Sequence, residues 1–284
     1  MSTEARQVTP GSLADVVATL SGHRLAVLTG AGVSTDSGIP DYRGPDSPAR
    51  TPMTFQQFVG DQAFRRHYWA RNHVGWRHVH RTMPNDGHRA LAELEHRGVV
   101  SGVITQNVDL LHEAAGSRHV IDLHGRYDRV VCLDCARVVS RAELADRLDA
   151  LNPGFATSVG DVEVAPDADA AIEATSGFVV ADCSACGGVL KPDIVYFGEL
   201  VPRERVERAM ALVDAADALL VAGSSLTVQS GLRFVRRAAA AGKPIVVVNR
   251  GATRGDRHAA VTLNAGTSET LRDLAELLPT PAHA

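Results

Sequence analysis

Leu25-Ala26-Val27-Leu28-Thr29-Gly30-Ala31-Gly32 reads as a short buried strand running straight into a turn with two glycines. The pattern repeats further along. The spacing predicts a helix over 86–97, with Leu91 and Leu94 on one face and Gly98 as its stop. Strands follow over 99–104 and 120–123. Pro202 opens another helix that carries Val206, Ala209, Met210 and Val213 at helical spacing. A strand over 218–222, a helix over 229–241 and the turn Gly242-Lys243-Pro244 then lead to a strand over 245–248. This alternation predicts an α/β fold with a parallel sheet covered by helices on both faces.

Two stretches break the alternation. Residues 46–84 are rich in His, Arg and aromatics (Phe64, Tyr68, Trp69, Trp76) and read as an inserted helical module. Residues 131–189 hold the four cysteines, as Cys132-Leu133-Asp134-Cys135 and Cys183-Ser184-Ala185-Cys186. Two C-x2-C pairs with no fifth cysteine point to four thiolates around one structural Zn2+, leaving no open position for chemistry. The 47 residues between the pairs exceed the usual ribbon gap of about 15–20, so an insertion separates the knuckles. Two disulfides or a redox dithiol are the alternatives, and the former fits poorly with a chain lacking a secretion signal. Residues 152–182 carry six acidic residues and no Lys or Arg, and read as a solvated loop or short helical excursion rather than a binding site. The expected division is a large sheet domain from 1–45, 85–130 and 190–284, with 46–84 and 131–189 forming a smaller helical and zinc-binding domain.

The whole-chain figures narrow the function classes. At 284 residues, 45% of them hydrophobic, the chain can bury a sizeable core. A net charge of −4 argues against a partner that is duplex nucleic acid. No apolar run reaches the ~18 residues of a membrane span, and Met1 to Pro10 carries no targeting pattern, so a cytoplasmic location is expected. Only Lys191 and Lys243 are lysines among 29 basic residues. The arginines are scattered, which reads as compositional bias rather than as a phosphate-binding block.

In open parallel sheets, ligands bind beyond the carboxyl ends of the strands. Here those ends carry Gly30-Ala31-Gly32, Gln106-Asn107-Val108-Asp109, His124-Gly125, Gly223-Ser224-Ser225 and Asn249-Arg250-Gly251. Five small or hydrogen-bonding ends converge better on a ligand cleft than on five unrelated turns. The glycines of the first loop would let backbone approach a phosphate. Thr35, however, stands at the third glycine position of G-x-G-x-x-G, and no acid follows at the ribose position, so the spacing alone is a weak nucleotide signal.

The full strings are more specific. Residues 30–44, Thr105 to His112, Leu123-His124-Gly125, Lys191 to Glu199, Gly223-Ser224-Ser225-Leu226 and the cysteine pairs together resemble the sirtuins, NAD-dependent protein deacylases, over residues 12–279. The Tyr68-Trp69-Ala70-Arg71-Asn72 run and the Pro84-Asn85 helix start look most like class II. The resemblance implies a Rossmann-like NAD domain, a small zinc and helical domain, and a cleft between them. It assigns Gly30, Ala31, Gly32, Thr35, Asp41, Tyr42 and Arg43 to the pyrophosphate and nicotinamide ribose. It gives Gln106 a ribose contact and puts Asn107 and Asp109 at the nicotinamide. Gly223, Ser224 and Ser225 would hold phosphate, Asn249, Arg250 and Gly251 the adenosine ribose, and Thr267 the adenine edge. Val195, Phe197, Gly198 and Glu199 would bind the acyl-lysine peptide by edge pairing.

The implied reaction releases nicotinamide, lets the acyl oxygen capture the ribose carbon, and yields free lysine and O-acyl-ADP-ribose. His124 is the implied base, with Asn107 as its catalytic companion, because an imidazole accepts a proton at neutral pH. His88 reads instead as a helix cap, His112 as a locally bonded side chain, Asp109 on its own as a turn or cap residue, and Tyr196 as core. Tyr68 and Arg71 form a Tyr-x-x-Arg pair of the kind that binds acidic acyl groups in class III sirtuins; a surface ion pair is the bland alternative. The rival functions are mono-ADP-ribosyl transfer, removal of longer or acidic acyl chains, a silent NAD or ADP-ribose binder, and a zinc-ribbon nucleic-acid module. The acidic loop beside the cysteines disfavours the last of these.

Overall fold

The computed structural model describes residues 11–42, 52–159, 162 and 164–280. Among them the strands, in chain order, are β1 (Leu25–Thr29), β2 (Val100–Thr105), β3 (Val120–Asp122), β4 (Gly125–Cys132), β5 (Val138–Ser140), β6 (Leu190–Ile194), β7 (Ala218–Ala222), β8 (Ile245–Val248) and β9 (Val261–Leu263). Six form a sheet in the order β3-β2-β1-β7-β8-β9, with every neighbouring pair parallel. β1 and β7 lie at the middle and are buried at every residue, which is why they read as unbroken apolar runs. Alternate residues face opposite layers. Leu25, Val27, Leu220 and Val246 pack under helices Leu13–Leu20, Asp86–His96 and Thr267–Leu277. Ala26, Leu28, Leu219, Val221 and Val247 pack under Arg203–Ala215 and Gln229–Ala240.

The strand order reverses between β1 and β7, and this opens a crevice beyond their carboxyl ends. The helix expected over 86–97 spans Asp86–His96, with the Asn85 side chain accepting from the Gly87 and His88 amides. A cap of that kind contributes about 1 kcal/mol. Two elements were not read from the sequence: helix Leu13–Leu20, which opens on a capping box of Ser12 and Asp15, and β9, three half-buried residues long.

A second sheet, β5-β4-β6, is antiparallel. Residues 125–130 and 190–194, expected with the large sheet, pair with each other here instead. β4 alternates buried Tyr127, Val130 and Cys132 with more exposed residues, the pattern of a half-buried strand on a small core. The cysteines marked that boundary too late because they sit at the far end of β4. Helices Phe55–Gly60 and Gln62–Val79 complete this lobe, and Phe58, Tyr68 and Trp69 join Phe178, Leu190, Tyr196, Cys132 and Cys183 in its core. Arg141 is 1% exposed, with its guanidinium 5.5 Å and 5.2 Å from the Trp69 and Trp76 ring centres and bonded to Asn72. Burial lowers its pKa to about 10, so it stays charged at neutral pH.

The acidic stretch 152–182 is not simply solvated. Ala165, Ala168, Ala170, Ile172 and Phe178 are buried, and Pro166 and Asp167 reach the central cavity. Its short alanines pack closely, and its acidity hid this from the sequence reading.

Candidate active site

A cavity of about 730 Å³ lies beyond the carboxyl ends of β1, β2, β7 and β8. All five strand-end loops reach it. Gly30, Ala31, Gly32, Gln106, Asn107, Asp109 and His124 line one part, and Gly223, Ser224, Ser225, Asn249, Arg250 and Gly251 another. Asp41, Tyr42, Val195, Phe197, Gly198 and Glu199 line the remainder, on the side of the smaller lobe. Thr35 and Thr267 do not line it; both hydroxyls donate to the Gly32 carbonyl, at 3.2 Å and 3.0 Å. Arg43 lies outside the described residues.

The glycines at the β1 end also meet a packing need. A Cβ on Gly30 would sit 2.8 Å from the Gly223 carbonyl, and one on Gly32 would sit 2.9 Å from the Gly223 Cα. Gly223 itself has φ +66°, a left-handed conformation. The missing side chains let the β1 and β7 loops pack backbone against backbone, so that both face the cavity together.

Ser34, which the sequence reading passed over, ties the β2 loop to the β1 loop. Its hydroxyl donates to Asp109 Oδ2 at 2.7 Å and accepts from Asn107 Nδ2 at 3.1 Å. Asn107 Nδ2 also donates to the Gly30 carbonyl. Burial raises the Asp109 pKa, opposed by the Leu111 amide and the Ser34 hydroxyl. Leu110 beside it holds φ +65°, a conformation that costs a non-glycine residue about 1 kcal/mol or more. Strain of this kind gathers where a side chain must be aimed.

His124 is held from both sides. Nδ1 lies 2.9 Å from the Gln106 carbonyl, which can only accept, so Nδ1 carries the hydrogen. Nε2 then presents its lone pair and accepts from the Ser230 hydroxyl at 2.8 Å. Burial, with Arg205 and Arg233 nearby, lowers the pKa to about 4 although the Gln106 carbonyl pulls the other way. A neutral imidazole with an acceptor nitrogen at the cavity wall can take a proton from a ligand hydroxyl that displaces Ser230. His88 and His112 lie behind the site. His88 caps its helix with Asn85, and His112 Nε2 is 2.9 Å from Thr29 Oγ1.

The 195–199 segment is fixed before any ligand arrives. The Val195 amide donates to the His124 carbonyl and the Phe55 amide to the Phe197 carbonyl. Buried Lys191 pairs with Glu199 at 3.0 Å, and Glu199 also accepts from the Tyr196 amide. Tyr42 meets Phe197 edge-on across the cleft. Arg71 is occupied elsewhere: it pairs with Asp169 at 2.6 Å and bonds the Ala170 carbonyl, latching the 152–182 stretch, and it does not line the cavity.

The four cysteines converge. Their Sγ atoms lie within 4.8 Å of one another, with Cys132 to Cys186 at 3.5 Å and Cys135 to Cys183 at 3.8 Å. A disulfide needs about 2.05 Å, whereas thiolates about 2.3 Å from a tetrahedral zinc stand about 3.8 Å apart. The donor set and spacing fit one closed zinc site. Amides of Ala185 and Cys186 lower the Cys183 pKa to about 6, while hydrogen bonds within the thiol cluster push Cys186 up to about 12. A cation is what lets all four ionise together.

Buried histidines set the acid response of the fold. His88 and His124 are pushed down to about 4 by burial, aided by Arg89 at His88 and by Arg205 and Arg233 at His124. Burial and His88 push His112 well below its usual value. The unfolded chain takes up these protons near pH 6.5, whereas folded His88 and His124 refuse theirs until about pH 4 and His112 also resists protonation, so stability falls as pH drops through that window. Each such histidine contributes about 1.4 kcal/mol per pH unit. Asp109 and Asp122, raised by burial (Asp122 to about 6), work in the opposite sense and cancel part of this. Melting curves should show Tm constant above pH 7 and falling between pH 6.5 and 4.5; a flat profile across that range would contradict this balance.

The sequence profile of the Sir2 family matches residues 30–230, a span that includes the β1 and β2 loops, His124 and all four cysteines. The chain belongs to the Sir2 family. It is 64% identical to NAD-dependent protein deacetylase 1 of Mycobacterium avium, over 95% of this chain and 97% of that one. It is 51% identical to NAD-dependent protein deacetylase 1 of Streptomyces coelicolor, over 97% and 94% of the two chains. Among solved structures, a sirtuin described in terms of substrate affinity superposes with a TM-score of 0.74 at 27% identity, covering 94% of this chain and 98% of that one. A Sir2 protein solved with a peptide and NAD+ gives 0.71 at 28% identity, with the same coverage. Such likeness across nearly the whole chain places the large sheet and the cysteine lobe within one Sir2 architecture. No helix among the described residues is long and apolar enough to cross a membrane.

Proposed function

We propose that this Sir2 protein is an NAD-dependent protein-lysine deacetylase, releasing nicotinamide, free lysine and O-acyl-ADP-ribose. The observation that carries the reading is a neutral, oriented His124 whose acceptor nitrogen borders the cavity between the glycine loops and the 195–199 segment. The cavity fits a dinucleotide chemically. Its loops are bare backbone at Gly30–Gly32 and Gly223, Arg250 offers a cation, and half-buried Asp109 offers a carboxylate for a carboxamide N–H. The bound dinucleotide supplies a ribose carbon carrying a nicotinamide leaving group.

The residues divide the work. Asn107 and Asp109, tied through Ser34, orient the carboxamide end. Gln106 contacts ribose, Gly223 to Ser225 hold phosphate, and Asn249 to Gly251 reach the second ribose. Thr35 and Thr267 act from behind by fixing the Gly32 carbonyl. Val195 and Phe197 flank the acyl chain while the 195–199 backbone takes the peptide as an added strand. His124 Nε2 accepts the proton of the ribose hydroxyl that attacks the captured acyl group. The walls of this cavity give an acyl chain Ile39, Val108, Phe197 and Asp167 but not Arg71, which favours neutral chains over acidic ones.

Incubation with NAD+ and a panel of acetyl-, propionyl- and succinyl-lysine peptides tests this. Acetyl or propionyl peptide should be consumed one-for-one with nicotinamide, and at least tenfold faster than succinyl peptide. Peptides that gain ADP-ribose while keeping their acyl group would show a transferase of the other kind.

A further inference from the structure

We propose that Ser230 is a positioning residue for His124, holding the imidazole with Nε2 turned to the cavity until a ligand hydroxyl takes its place. The inference rests on the deacetylase reading above. Ser230 lies in the first turn of helix Gln229–Ala240, two residues past the cap position. The cap position is Val228, with no side-chain cap bond, and the Ser230 hydroxyl goes instead to His124 Nε2 at 2.8 Å. Since Nδ1–H is committed to the Gln106 carbonyl, Ser230 must be the donor of that bond. Ser230 is itself buried and lines the cavity. It therefore stabilises the one tautomer that can act as base, and it does so at the very atom that receives the proton.

Both partners of the imidazole are locked to one another. The Gln106 side chain donates to the Thr29 carbonyl at 3.1 Å and to Ser224 Oγ at 2.8 Å. Gly231 follows Ser230, and a Cβ there would sit 2.6 Å from Gln106 Oε1. The bare glycine lets the helix press on Gln106, so the carbonyl that holds Nδ1 and the hydroxyl that holds Nε2 keep a fixed separation. The charged groups facing His124 are Arg205, from helix Arg203–Ala215, and Arg233, one turn beyond Ser230; both oppose protonation. Loss of the Ser230 donor removes a bond made only to the neutral ring.

The test compares wild type, Ser230→Ala, Ser230→Thr, Gly231→Ala and His124→Ala on an acetyl-lysine peptide with NAD+. It has two readouts: formation of O-acetyl-ADP-ribose, and exchange of labelled nicotinamide into NAD+, which needs no base. Ser230→Ala should lower kcat for product about tenfold, the worth of one such hydrogen bond, and keep most of the exchange rate. It should also move the acid limb of the kcat profile to higher pH. Ser230→Thr should recover most of the loss, and Gly231→Ala should reproduce it. Ser230→Ala with wild-type product formation and an unmoved acid limb overturns the proposal alone, as does an equal fall in both readouts. Wild type forming no product at all overturns the deacetylase reading and this proposal with it.

Discussion

His124→Ala lowers the rate of O-acyl-ADP-ribose formation by about a hundred- to ten-thousandfold, the range that removal of a positioned general base produces. NAD+ affinity changes far less. The imidazole is half-buried, neutral and bonded through Nδ1 to the Gln106 carbonyl, and among the described residues no other histidine lines the cavity; His112 bonds Thr29 and His88 caps its own helix. Glutamine in its place would restore a hydrogen bond but no basicity, so His124→Gln should be nearly as impaired. Pre-steady-state assays separate the two quantities. Wild-type turnover in His124→Ala would remove the imidazole from the chemistry.

Loss of the metal should produce the other large effect, this time on folding. Cys132 and Cys183 are buried in the same core as Tyr68, Trp69, Leu190 and Tyr196. β6 carries Leu190 and leads directly into the 195–199 segment that walls the cavity. A closed zinc site is worth about 10–16 kcal/mol in isolated peptides, comparable to the whole stability of an ordinary domain. Cys135→Ser with Cys186→Ser, or prolonged chelation, should therefore abolish one bound zinc per chain, lower Tm by about ten degrees or more and take activity with it. The large sheet, with its own two-sided core, should keep its far-ultraviolet signal. Elemental analysis and thermal melts read both, and a metal-free protein with full stability and activity would refute a structural role.

The parts legible in the sequence were those governed by short-range physics. Fully buried strands such as β7 and β8 show as apolar runs, and their carboxyl ends as small polar clusters. The C-x2-C spacing declared four thiolates before any geometry was known. What escaped notice depended on contacts between distant segments. Ser230 looked like an ordinary residue of a helix start because nothing local says that its hydroxyl meets a ring 106 positions away. Gly30 and Gly32 looked like phosphate glycines, and nothing local said that each is also required by Gly223. The 152–182 stretch looked solvated because its acidity is local, whereas its anchoring by Arg71 comes from another helix. Arg71 itself carried a motif whose reading fails once Asp169 is seen to occupy it.

The most direct measurement is a crystal structure of the protein with NAD+ and an acyl-lysine peptide. The account predicts the dinucleotide along the β1 and β7 loops, and a hydroxyl of its nicotinamide ribose within about 3.2 Å of His124 Nε2, or joined to it by one water. A dinucleotide bound elsewhere, or one whose nicotinamide ribose faces away from His124, would contradict it.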